Sequence, residues 1–169
     1  MAAICREASV THFAVTELSE VSRLRAGGFQ DCDILMLRPT ADADELTQLL
    51  NLGAILTVSS QNDAAVLNGV AEKLGMQAQV HIKIDTGMGR IGFALRTDFD
   101  AAIREMLEAC ALPGLEMTGL FQHFSVADDT APENVAYTAE QHALFVKAFH
   151  ALKAAGREPA LVHCDNSAS

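Results

Sequence analysis

Short β-branched runs alternate with longer alanine- and leucine-rich segments along the whole 169-residue chain, and that rhythm leaves few folds open. Strands are predicted over 12–15, 34–37, 55–58, 80–85, 117–124 and 161–165, with helices over 17–26, 43–52, 61–74, 98–109 and 138–155 between them. The punctuation agrees. Gly27, Gly28, Gly53 and Gly75 stand where helices should stop, Pro39 follows a strand, and Ser60 is placed to cap the helix after it. Strand and helix in strict succession mean a parallel sheet covered by helices, and six repeats in a row favour an incomplete (β/α)8 TIM-type barrel over a doubly wound sheet. A closed barrel has about 250 residues, so residues 1–169 read as one partial barrel domain. MAAICREAS resembles the last turns of a helix whose strand lies outside the chain, and residues 166–169 resemble a loop leading onward. The expectation is a barrel truncated at both ends.

Composition removes several classes of function. With 22 acidic and 12 basic residues the formal net charge is −10, which argues against nucleic acid or an anionic membrane as the main partner. No apolar run approaches the length of a membrane span and the N-terminus lacks a signal-peptide core, so the expected compartment is the cytoplasm. Cys5, Cys32, Cys110 and Cys164 are too widely spaced for a zinc or redox motif and read as reduced, mostly buried thiols. His163 and Asp165 offer two ligands on one strand face without a third, so no metal site is expected. His12, His142 and His150 read as surface or packing residues.

The densest chemistry lies in HIKIDTGMGRIGF, residues 81–93. Alternation along a strand puts Val80, Ile82 and Ile84 on one side and His81, Lys83 and Asp85 on the other. Three ionisable groups on one face of a core strand are unusual scaffolding. Gly87, Gly89 and Gly92 then allow positive φ or a close ligand approach, with the guanidinium of Arg90 among them. On the residues alone this is a site for an anion or a polar ring. A surface ion pair for Arg90 and a lysine snorkelling to the strand end for Lys83 remain open beside it.

HIKIDTGMGRIGF closely resembles the motif of the alanine racemases, pyridoxal-phosphate (PLP) enzymes in which a barrel precedes a β-rich domain. HFAVTELSEVSRLRAGGF, GLFQHFS before the acidic stretch of residues 127–133, which reads as a solvated surface loop, YTAEQ and HCDNSA fall in the same family order. The resemblance covers essentially the whole chain and corresponds to about the second to seventh strands of the family's barrel. It implies that Arg90 bonds the cofactor's phenolic oxygen and faces the substrate carboxylate. It implies that Lys83 orients Arg90, in the family often as a carbamate, which would turn two repelling cations into an attracting pair. His123 would lie beside the pyridine ring, although a histidine at a strand end also serves as an ordinary hydrogen-bonded core residue. On the strand pattern His123 shares a face with Met117, Gly119 and Phe121. Asn166 and Ser167 would begin the phosphate loop, with a helix N-cap as the other role open to Ser167.

Racemisation needs a base on each side of the α-carbon. The resemblance places one, the cofactor-anchoring lysine, on the first barrel strand and the other, a tyrosine, in the second domain of a partner subunit. Lys73, Lys147 and Lys153 fall on predicted helices and Tyr137 lies by the acidic loop, so no catalytic base is expected here. The implied function is interconversion of L- and D-alanine for cell-wall precursors, with the 169 residues inactive alone. A non-catalytic PLP-binding or interaction module, or a related amino-acid racemase or decarboxylase, are the alternatives. Unpaired sheet edges predict a homo-oligomer or an edge-paired assembly.

Overall fold

Every predicted strand forms, and each pairs in parallel with its neighbour in sequence. The computed structural model describes residues 2–164 and 166. Helix α1 (Ala2–Glu7) leads to β1 (His12–Val15), α2 (Leu18–Ala26), β2 (Asp33–Met36), α3 (Ala43–Asn51), β3 (Ile55–Val58) and α4 (Gln61–Leu74). Then follow β4 (Ala78–Asp85), β5 (Phe93–Ala94), α5 (Phe99–Ala109), β6 (Leu115–Phe121), α6 (Pro132–Ala154) and β7 (Leu161–His163). The main sheet runs β1-β2-β3-β4-β6-β7 without reversal. A doubly wound sheet must reverse its order at a switch point, so this monotonic order is that of a partial barrel.

Two cores hold it. Between strands and helices lie Ile34, Met36, Leu56, Val58, Val80, Ile82, Ile84 and Leu120, packed on Leu49, Leu67, Met106 and Leu152 of the helices. On the concave inner face Leu35, Ile55 and Phe121 form a smaller cluster. Helix starts follow local chemistry: Ser60 accepts from the Asp63 amide at 3.1 Å, and Asp98 accepts from the Ala101 amide at 2.9 Å.

Three details depart from expectation. The ladder between β4 and β6 slips by one residue at Val80/His81, so Val80 pairs Met117 while His81 pairs Gly119. Met117 therefore packs into the outer core, while Phe121 belongs to the inner cluster and Gly119 lies against the ring of His81. Helix α6 begins at Pro132 rather than 138, because Asp129 accepts from the Ala131 amide at 2.8 Å and from Asn134 Nδ2 at 2.7 Å. That takes Pro132 and Glu133 out of the acidic loop and into the first helical turn. Finally, β5 folds back to pair in parallel with the end of β4, Ile84 opposite Phe93 and Asp85 opposite Ala94.

Cys32 and Cys110 are buried, and Cys5 and Cys164 only partly so. Burial pushes the Cys110 thiol up to about 11, which keeps it protonated and inert.

Candidate active site

Alternation on β4 sends Val80, Ile82 and Ile84 outward and turns His81 and Lys83 inward, both only 3% exposed. Lys83 Nζ donates to the Ile84 carbonyl at 3.0 Å and lies 5.3 Å from the ring centre of Phe121. Burial pushes the ammonium down to about 8; Asp85 opposes the shift and Arg90 adds to it. Asp85, the carboxylate in the segment, has other work. Its Oδ1 accepts from the amides of Gly87 at 2.8 Å and Gly89 at 3.1 Å, so the carboxylate organises the loop as well as attracting the Lys83 charge.

The loop closes tightly on the strand it leaves. A Cβ on Gly92, whose φ is +123°, would stand 2.6 Å from the Asp85 nitrogen and 2.7 Å from the Ile84 carbonyl carbon. Only glycine lets β5 return there. Arg90 stands exposed at the loop's outer bend and makes no hydrogen bond or ion pair with any described residue. His123 lies two residues beyond β6, half-buried, and burial, Arg90 and Lys83 hold its pKa below the ordinary histidine value. Lys83, Arg90 and His123 thus converge on the C-terminal rim as three basic groups without a carboxylate bonded to any of them. Such a cluster attracts an anion.

Asn166 is half-buried and donates from Nδ2 to the Phe124 carbonyl at 3.4 Å, beside the His123 turn. Ser167 and Asp165 lie outside the described residues. Deeper inside, His81 Nδ1 meets His163 Nε2 at 3.1 Å, one ring donating and the other accepting, and His163 stacks on Phe121 at 4.9 Å between centres. Burial pushes His81 down to about 4, with the charges of His163 and His12 adding to the shift, and burial followed by Lys83 lowers His163. Gly119 makes this possible, since a side chain there would overlap the His81 ring. Among the described residues no group of three or more histidines, cysteines or acids could hold a metal ion.

Sequence reasoning missed the support behind the rim. Tyr137 donates its hydroxyl to the Gly87 carbonyl at 2.7 Å, and Gln141, fully buried, donates to Thr86 Oγ1 at 3.2 Å. A signal existed: Gln141 stands on the buried stripe of α6 with Phe145, Ala148 and Leu152, where a polar residue needs partners.

Comparison with known proteins agrees with the geometry. The chain is 36% identical to the alanine racemase of Desulforamulus reducens over 169 residues, which is 100% of this chain and 44% of that protein. It is 36% identical to the alanine racemase of Treponema pallidum, covering 95% of this chain and 42% of the relative. Among solved structures, alanine racemase from Clostridium difficile 630 in complex with cycloserine superposes with a TM-score of 0.86 at 30% identity, over 99% of this chain and 44% of that one. The histidine racemase of Leuconostoc mesenteroides also superposes, with a TM-score of 0.77 at 26% identity, over 96% of this chain and 41% of that one. The chain spans less than half the length of these relatives. No helix among the described residues is long and apolar enough to cross a membrane. The family model for the N-terminal domain of alanine racemase matches residues 1–169, and the chain belongs to that family.

Proposed function

We propose that this chain forms the cofactor- and substrate-holding rim of a PLP-dependent alanine racemase, acting in the cytoplasm to interconvert L- and D-alanine for cell-wall precursors. The observation that carries the reading is the convergence of Lys83, Arg90 and His123 at the C-terminal rim without a bonded carboxylate. The residues fit PLP, which brings a phenolic oxygen, a phosphate and a pyridine ring to a site of this charge. Arg90 would hold the phenolic oxygen and the substrate carboxylate, His123 would lie against the ring, and Asn166 and Ser167 would hold the phosphate. When bound, the cofactor makes the substrate's α-proton acidic by drawing charge into its ring.

Lys83 acts on Arg90 rather than on substrate. With its pKa near 8, about one amine in ten is unprotonated at pH 7, and that neutral amine would add carbon dioxide and release one proton to give a carbamate. The carbamate would replace repulsion of Arg90 by attraction and fix the guanidinium. Among the described lysines and the tyrosine, none is offered as the base that moves the substrate proton. Tyr137 is committed to the Gly87 carbonyl, Lys153 pairs with Glu158, and Lys147 lies over Phe99. The proton-transferring bases therefore come from elsewhere in the assembly. Edge strands β1 and β7 recruit it: each pairs on one side only among the described residues, and Leu161 and Val162 are each 39% exposed.

The test is titration of the 169-residue chain with PLP, followed by borohydride reduction and peptide mapping. Weak, salt-sensitive, noncovalent binding that Arg90→Leu abolishes is expected, with no racemisation of alanine by the chain alone. A stoichiometric reduced adduct on Lys83, or no PLP binding at all, overturns the reading. Light scattering tests assembly, and a strict monomer with a closed sheet would count against it.

A further inference from the structure

Behind the basic rim, the loop of Thr86 and Gly87 and the loop of Gln122 to Ser125 are tied to one face of one helix. Tyr137 and Gln141 stand one turn apart on α6, so their side chains leave the same side of it. Tyr137 reaches the Gly87 carbonyl at 2.7 Å, and the ring is covered by Arg96, whose guanidinium carbon lies 4.5 Å from its centre. Arg96 in turn pairs with Glu140 on α6 at 3.0 Å. Gly87 is glycine for this reason as much as for its φ of +136°, because a Cβ would strike the Tyr137 hydroxyl and Arg96. Gln141 bonds in both directions. Its Nε2 donates to Thr86 Oγ1 at 3.2 Å, and its Oε1 accepts from the Ser125 amide at 3.2 Å and the Ser125 hydroxyl at 3.1 Å.

The Thr86 hydroxyl closes the circuit by donating to Gln122 Oε1, and Gln122 immediately precedes His123. Thr86, Gln122 and Gln141 are each no more than 2% exposed. Gln122 Nε2 is buried without a hydrogen-bond partner among the described residues, but the remaining bonds each join two segments, and together they hold the loops in one arrangement. One of those loops carries Arg90 and the other carries His123.

We propose that Tyr137 and Gln141 are positioning residues, a clamp on α6 that sets the separation of Arg90 and His123 across the cofactor rim. The clamp rests on the cofactor reading above for what the loops carry, but its existence is tested without ligand. Neither residue touches the reacting atoms. Tyr137 acts through the Gly87 carbonyl, and Gln141 through the Thr86 hydroxyl and the amide and hydroxyl of Ser125.

The experiment uses the full chain with Tyr137→Phe and Gln141→Leu, and with Leu152→Ala on the same helix as a control that loosens packing without touching either loop. Amide hydrogen exchange at Gly87, Gly89 and Ser125 is compared with exchange in β4, alongside the rate at which phenylglyoxal modifies Arg90. In Tyr137→Phe, Gly87 and Gly89 should exchange at least 10-fold faster relative to β4, and Gln141→Leu should add Ser125 to the loosened set. Leu152→Ala should leave those ratios unchanged. Loop exchange within twofold of the parent in Tyr137→Phe, which keeps its ring and hence its packing, overturns the clamp even if Gln141→Leu fails to fold. Equal loosening by Leu152→Ala overturns it as well. PLP affinity is read in parallel: a fall of about 10-fold in Tyr137→Phe supports positioning, whereas unchanged affinity with loosened loops overturns it. A parent chain that binds no PLP overturns the cofactor reading, and the exchange ratios still decide the clamp.

Discussion

Arg25 and Arg90 sit at opposite ends of the same barrel and are treated in opposite ways. At the N-terminal ends of the strands Arg25 is buried, donating to the carbonyls of Leu52 at 2.7 Å, Phe29 at 2.5 Å, Cys32 at 2.8 Å and Gly53 at 2.9 Å. It ties the turn after α2 to the turn after α3. At the C-terminal rim Arg90 is exposed, bonds to no described residue, and sits in a loop where Asp85 accepts from the Gly87 and Gly89 amides. The same side chain serves as a rivet at one end and is left available at the other. In a barrel this division is expected, since the loops after the strands carry chemistry and the loops before them carry stability.

The sharpest way to break the comparison is Arg25→Leu. Four carbonyls lose their donor in a place water reaches poorly, and the expected loss is at least about 3 kcal/mol, measured by urea unfolding. A loss under about 1 kcal/mol would mean that Arg25 is no rivet.

Lys83 extends the comparison to a second buried cation, one that weakens the fold. Its ordinary value of 10.5 falls to about 8 in the folded chain, so the unfolded chain binds the proton more tightly. The penalty is complete below pH 8 and disappears as pH rises to 10.5, and the difference corresponds to roughly 3 kcal/mol. Lys83→Met should therefore be more stable than the parent at pH 7 by up to that amount in carbon-dioxide-free buffer. The gap should close by pH 10.5. A variant less stable than the parent at pH 7 would show that Lys83 is held by attractions rather than endured.

His81 gives the acid counterpart. Its value drops from 6.5 to about 4, so the unfolded chain takes up a proton that the folded chain refuses. Stability should fall as pH drops from 6.5 towards 4, with His81 accounting for roughly 3 kcal/mol of the loss and His163 and His123 adding in the same direction. His81→Gln should flatten that limb by about one proton. An unchanged slope would mean that water reaches the pair.

How much of this was legible beforehand depends on whether the partner of a residue has a sequence identity. The alternation of β4, the capping by Ser60 and the order of βα units were readable, because periodicity and cap chemistry are local. The face of Met117 was not, since a one-residue slip in a ladder leaves no mark on the strand that bears it. Arg25 was also invisible: near a helix C-terminus an arginine reads as a favourable surface charge, and its true partners are backbone carbonyls that every residue owns. The clamp on α6 was half legible, because Gln141 interrupts an apolar stripe, but which loops it would bond depended on where the barrel brings them.

Arg90→Leu is the smallest expected change in stability and the most informative about the rim. With an exposed side chain and no bond to a described residue to lose, the substitution should move the unfolding free energy by no more than about 0.5 kcal/mol. Removing its charge should at the same time let the pKa of Lys83 and His123 rise, since Arg90 lowers both. Histidine ring titration by NMR reads the second effect separately from the first. Unchanged stability with an upward-moving His123 is the outcome expected of a group kept free for a ligand. If Arg90→Leu instead destabilises the chain as Arg25→Leu does, the two arginines are alike and the rim is scaffolding.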